Sequence, residues 1–145
     1  MTEYFRIWRM SSMYNINYKE FKEIEKQILF KKVIAWTEET LTLDDGTIIE
    51  IVESEQDCCA SAGGYWTNVK LDAVITNVKI EDEITRPAFE DYPDEESESL
   101  ATVVLYHNQN PIAQGECYAD AGNGNFYYSV CSLKIKDIHY PVVEH

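Results

Sequence analysis

Four cysteines, three histidines and a dense set of carboxylates are the residues of this 145-residue chain that can do chemistry. Cys58 and Cys59 are adjacent in the stretch SEQDCCASAGGYW, residues 54–66, behind an acidic run and ahead of a glycine pair; Cys117 and Cys131 follow singly, and the histidines are His107, His139 and His145. Zinc takes four N, S or O ligands in a tetrahedron. The usual pair of C-x-x-C motifs is absent, and adjacent residues of a strand face opposite ways. Cys58 and Cys59 can therefore share one ion only from a turn, for which the small residues 60–62 and Gly63-Gly64 are suited. Cys117 and Cys131, on neighbouring predicted strands, complete an expected zinc set of Cys58, Cys59, Cys117 and Cys131. For Cys131 burial is the competing account, because its setting YYSVCSLKI alternates as a strand interior does.

A nucleophilic thiol needs a lowered pKa, a base such as His107 and oxyanion donors. Gly63-Gly64 offers backbone N–H groups, yet no third group orients the base, and nearby carboxylates raise a thiol pKa. No catalytic residue is assigned, and a thiol enzyme centred on Cys58 or Cys59 is kept as the alternative. A disulfide between Cys58 and Cys59 closes a strained eight-membered ring. The N-terminal residues lack a continuous apolar core of signal-peptide length, so the expected location is the host bacterial cytoplasm, where thiols stay reduced. No phosphate-binding glycine loop, H-E-x-x-H or G-x-S-x-G occurs. Ala121-Gly-Asn-Gly-Asn125 reads as a hairpin turn, because a strand and not a helix follows it.

Charge is the second signal. The net charge is −14, but residues 1–36 carry seven Lys/Arg against four Asp/Glu, and the rest of the chain carries five against 22. Residues 81–98 (EDEITRPAFEDYPDEESE) hold nine carboxylates and one arginine. Such a surface repels nucleic acid and attracts a basic partner; solvation of a loop is the simpler account. Phe89 and Tyr92, for which a solvating segment has little use, favour contact. The expected partner-binding set is Glu81, Asp82, Glu83, Phe89, Glu90, Asp91, Tyr92, Asp94, Glu95 and Glu96.

The elements that must position these residues follow from periodicity. Asn17 and Glu20 fit a capping box, and Tyr18, Phe21, Ile24, Ile28 and Leu29 fall on one helical face, so a helix is predicted over about 18–29. The pattern then alternates. Leu41 and Leu43 precede Asp44-Asp45-Gly46, Ile49 and Ile51 follow, and Asp-Gly between alternating runs is a strong hairpin signal. Residues 73–81, 100–107, 112–118 and 126–135 read as four further strands, 67–73 as a short helical turn, and 85–98 as a long acidic loop in which Pro87 and Pro93 discourage regular structure. At 145 residues the chain has the size of one domain, with 1–16 expected to be flexible. The predicted fold class is α+β: mainly an antiparallel sheet of five or more strands with one main N-terminal amphipathic helix.

Glu55-Gln-Asp-Cys-Cys59, after the D-D-G hairpin and before Trp66-x-x-Val69-x-Leu71-Asp72, resembles a small domain of unknown function common in bacteriophage genomes. The resemblance runs from about Lys32 to Ile135 and includes Asn123-Gly-Asn-Phe-Tyr-Tyr128, where Asn125 and Phe126 replace a simpler N-G-x-Y-Y spacing. It brings no established activity. The profile of one small, strongly acidic domain without enzyme motifs is also similar to type II-A anti-CRISPR proteins, some of which occupy Cas9 surfaces built for nucleic acid. What this implies is a phage-type inhibitor that is not an enzyme, with a structural zinc, Cas9 as candidate partner, and no direct contact with nucleic acid or membrane. A phage structural or assembly component is the remaining alternative.

Overall fold

The computed structural model describes residues 15–87, 97–125 and 127–145. Among these residues ten strands build two sheets. The first has the order β1 (Asn17–Tyr18), β10 (Ile138–Glu144), β9 (Ser129–Ile135), β4 (Ile48–Gln56), β3 (Thr40–Leu43), β2 (Val33–Trp36). The second has the order β5 (Ala62–Thr67), β8 (Asn110–Asp120), β7 (Ser97–His107), β6 (Asn77–Pro87). All strand pairs are antiparallel except β1 with β10.

This corrects the predicted fold class. Over the described residues the protein is mainly β in two sheets, and its main helical part is short: a 3-10 turn, Phe21–Ile24, running into one α-helical turn, α1 (Glu25–Ile28). Asn17 does not cap a helix. It pairs with Ile138 while Tyr18 pairs with His139, and Lys19 N–H donates to the His139 carbonyl at 3.0 Å. The sheet thus takes the first predicted turn, and the helix begins after Glu20 with no side-chain cap. It ends where Leu29 turns extended and Phe30 enters the left-handed region at φ 69. The apolar periodicity still has its packing role, because Ile24 and Ile28 are fully buried.

Alternation along the strands sends one face of each sheet inward. Ile49, Ile51, Leu133 and Ile135 of the first sheet and Trp66, Val103, Leu105 and Ile112 of the second belong to one hydrophobic core. The D-D-G turn is where it was expected, joining β3 to β4 with Gly46 at φ 90. β1 takes residues expected at the helix start, β2 was not separated from β3, and two further strands were not anticipated. β5 uses the glycine pair as strand, and β10 forms from the C-terminal residues. The stretch expected as a loop over 85–98 is narrower, since β6 runs to Pro87 and β7 begins at Ser97. No described helix is long and apolar enough to cross a membrane.

Candidate functional site

The outward face of the four-stranded sheet follows from its register. Ala101, Val103 and Leu105 of β7 are buried in the core, so Leu100 and Thr102 face away from it. One row runs Gly63, Tyr118, Leu100, Ile84 from edge to edge, and the next runs Tyr65, Glu116, Thr102, Glu81. Beyond the apolar row lie Asp120, Glu98 and Arg86. Apolar and aromatic side chains are therefore bordered on both sides by carboxylates. Tyr65 and Ile84 are 51% and 50% exposed. A concavity of about 450 Å³ is lined by Gly64, Tyr65, Leu100, Glu116, Cys117 and Tyr118.

These carboxylates are held in place. Thr102 Oγ1 donates to Glu116 at 2.9 Å, the Tyr106 hydroxyl donates to Glu81, and Arg86 Nε pairs with Glu98 at 2.9 Å. Glu81 is also the place where β6 leaves regular register: a bulge lies between Glu81 and Ile84, with Asp82 at φ 54. A bulged, charged edge strand resists edge-to-edge pairing with another chain. Glu81, Asp82 and Glu83 of the predicted partner-binding set thus sit together on one edge. Phe89, Glu90, Asp91, Tyr92, Asp94, Glu95 and Glu96 lie outside the described residues, between the ends of β6 and β7.

The cysteines form two pairs. Cys58 and Cys59 are exposed in the connection from β4 to β5, their sulfurs 2.6 Å apart. Cys117 on β8 and Cys131 on β9 are buried, with the Cys117 thiol donating to Gly115 O at 3.6 Å and the Cys131 thiol to Gly63 O at 3.3 Å. Contact with Cys131 and burial push the Cys117 thiol well up, which keeps it neutral. The structure does not bring the four into one cluster, and among the described residues no three side chains of His, Cys, Asp or Glu gather to hold a metal ion.

Nor does it bring His107 to the thiols. His107 closes the far end of β7, about 30 Å along the strand from Glu98, and its Nδ1 bonds the Val74 carbonyl oxygen at 2.8 Å. Glu98 pairs with Asp120, whose carboxylate holds Ser61 just after the cysteine turn. The base of the thiol-enzyme alternative is therefore at the opposite end of the sheet.

Two groupings escaped the sequence reading. On the first sheet Ser54 Oγ donates to Ser132 Oγ at 2.6 Å and lies 2.7 Å from His139 Nδ1. Ser54 thus bonds a side chain on each of the two neighbouring strands, and the tautomer of His139 sets which atom of the Ser54–His139 pair donates. The trio is a latch joining β4, β9 and β10. The second grouping is the apolar row on the other sheet. Alternation in β7 and β8 was readable, but without β5 as a strand neither Tyr65 nor the cross-strand row could be placed.

The chain matches the family described as Domain of unknown function (DUF7448) over residues 18–134, and it belongs to that family. No curated protein and no solved structure matches it.

Proposed function

We propose that the chain is a non-enzymatic binding protein. It docks the outer face of the four-stranded sheet, with the acidic β6–β7 hairpin, onto a basic protein surface of the kind that otherwise holds nucleic acid. One observation carries this reading: the apolar row Tyr118, Leu100, Ile84 is flanked by Glu116 and Glu81 on one side and by Asp120 and Glu98 on the other. Apolar contact supplies most of the energy of a protein interface, while a charged rim selects the partner and speeds its approach. The net charge of −14 selects a basic partner. The anti-CRISPR-like profile makes Cas9 the first partner to assay.

The test is DNA cleavage by guide-loaded Cas9 with the purified protein added. The parent protein is expected to inhibit. A variant with Tyr65→Lys and Ile84→Lys, both on half-exposed positions, is expected to keep its circular dichroism spectrum and lose inhibition by tenfold or more, about 1.4 kcal/mol or greater. Unimpaired cleavage with the parent protein in excess would remove Cas9 as the target.

A further inference from the structure

The turn that carries Cys58 and Cys59 has chemistry independent of the docking face. Ala60 N–H donates to the Asp57 carbonyl at 2.9 Å, which closes a β-turn with Cys58 and Cys59 at its two corners. Both thiols are exposed. The turn is pinned from every side. Asp57 N–H bonds Tyr128 O at 2.8 Å, and the Asp120 carboxylate accepts from Ser61 N–H at 2.8 Å and Ser61 Oγ at 2.9 Å. Gly122 lies so close that a Cβ there would stand 2.8 Å from the Cys59 carbonyl oxygen. The Tyr127 phenol adjoins both sulfurs. Within this frame the two Sγ atoms lie on the same side of the turn, 2.6 Å apart.

That separation discriminates between the chemistries open to a dithiol. A tetrahedral zinc with bonds of about 2.3 Å holds two sulfurs about 3.8 Å apart. A covalent S–S bond needs about 2 Å. The pair stands nearer to bonding distance than to chelating distance, and no third His, Cys, Asp or Glu gathers with it among the described residues. We propose that Cys58 and Cys59 form a dithiol/disulfide redox site whose substrates are low-molecular-weight disulfides of the glutathione type.

The reaction balances without a further co-reactant. The Cys59 thiolate attacks one sulfur of the small disulfide RSSR, forming Cys59–S–S–R and expelling RS⁻, which takes up a proton. The Cys58 thiolate then attacks Cys59 Sγ and expels the second RS⁻, which is protonated in turn. Two protein thiols lose two electrons and two protons, RSSR becomes two RSH, and a vicinal disulfide remains. Small, exposed, strained disulfides are the labile ones, so the bond reopens when the thiol pool becomes reducing. Cys117 and Cys131 are an internal control: they also adjoin each other, but they are buried, where a small disulfide does not reach.

The experiment equilibrates the intact protein with graded mixtures of glutathione and glutathione disulfide. The mixtures are quenched with acid, alkylated under denaturing conditions, and mapped by peptide mass. Toward the oxidising end, the peptide holding Cys58 and Cys59 is expected to carry no alkyl group and to be two hydrogens lighter than the unalkylated dithiol peptide, reversibly with dithiothreitol. The peptides of Cys117 and Cys131 should stay alkylated throughout. Cys58→Ser should stop at a glutathione adduct on Cys59, and Cys59→Ser at one on Cys58. Stable adducts on the unaltered protein without ring closure would overturn the proposal. So would full alkylation of the pair across the whole range, or a chelator-removable metal that shields the pair in freshly purified protein.

Discussion

A Cβ added to Gly64 would stand 2.2 Å from the Glu116 carbonyl oxygen and 3.1 Å from the Cα of Cys117, main-chain atoms that cannot swing aside. At Gly63, next in the same strand, the added atom would meet only the Tyr118 ring, at 3.5 Å. Gly64→Ala is therefore expected to cost about 2–3 kcal/mol by overpacking, and Gly63→Ala less than about 1 kcal/mol. Urea unfolding midpoints of the two variants decide it, and equal losses would contradict the argument. The same pair marks a limit of what was legible in the sequence. Glycine in a strand signals close backbone approach as often as a turn, and only the register of β5 on β8 separates the two meanings. Gly115 behaves likewise, since the Trp66 ring lies 3.0 Å from where its Cβ would be. The cysteines were legible in part. Cys131 is buried, although β9 is buried on both faces and does not alternate, and Cys58 and Cys59 do occupy a turn, but the distance between the two pairs depends on the packing of two sheets that the sequence reading had not separated.

Local signals held best at the scale of elements. Asp44-Asp45-Gly46 marked the β3–β4 hairpin because a left-handed glycine between alternating runs has few other uses. The helix over 18–29 was overextended because an apolar stripe of period near 3.6 records which residues reach the core, not how long the backbone stays helical. Tertiary pairing with β10 overrode the capping residues. β10 itself went unread, although Tyr140, Val142 and Val143 are buried. It also brings His139 onto Ser54, which leads to a pH prediction. Burial, and then the Lys134 charge, push the His139 pKa below its ordinary value of 6.5. The folded protein then binds this proton less readily than the unfolded chain does, so in that window the unfolded state holds more protons and stability rises with pH. The contribution is full above 6.5 and is lost as pH falls through the lower folded value. Melting temperatures at about pH 7.5 and about pH 5.5 should therefore fall further for the parent than for His139→Gln, which removes the titrating group. An equal fall in both would sink the assignment.

If the chain binds as proposed, the charge distribution of the whole molecule and the outer sheet face make separable contributions. Residues 81–98 hold nine carboxylates, and those at 90–96 stand between the ends of two long strands. Exposed charges act at a distance, within a Debye length of about 8 Å at physiological salt, and so govern the rate of encounter and its salt dependence more than the lifetime of the complex. Apolar side chains act only on contact and govern dissociation, where most affinity differences between related complexes arise. Neutralising Glu90, Asp91, Asp94, Glu95 and Glu96 to Asn or Gln is expected to slow association with guide-loaded Cas9 about tenfold at low salt and to flatten its salt slope, with little change in dissociation. Tyr65→Ser with Ile84→Ser, which removes the apolar contact without adding charge, is expected to do the reverse, speeding dissociation while leaving the salt slope in place. The circular dichroism spectrum of the neutralised variant should match that of the parent. Surface plasmon resonance at low and high salt reads both rate constants for the three proteins. If the neutralised variant associates as fast as the parent and with the same salt slope, the acidic stretch serves only for solvation, and the sheet face alone must account for binding.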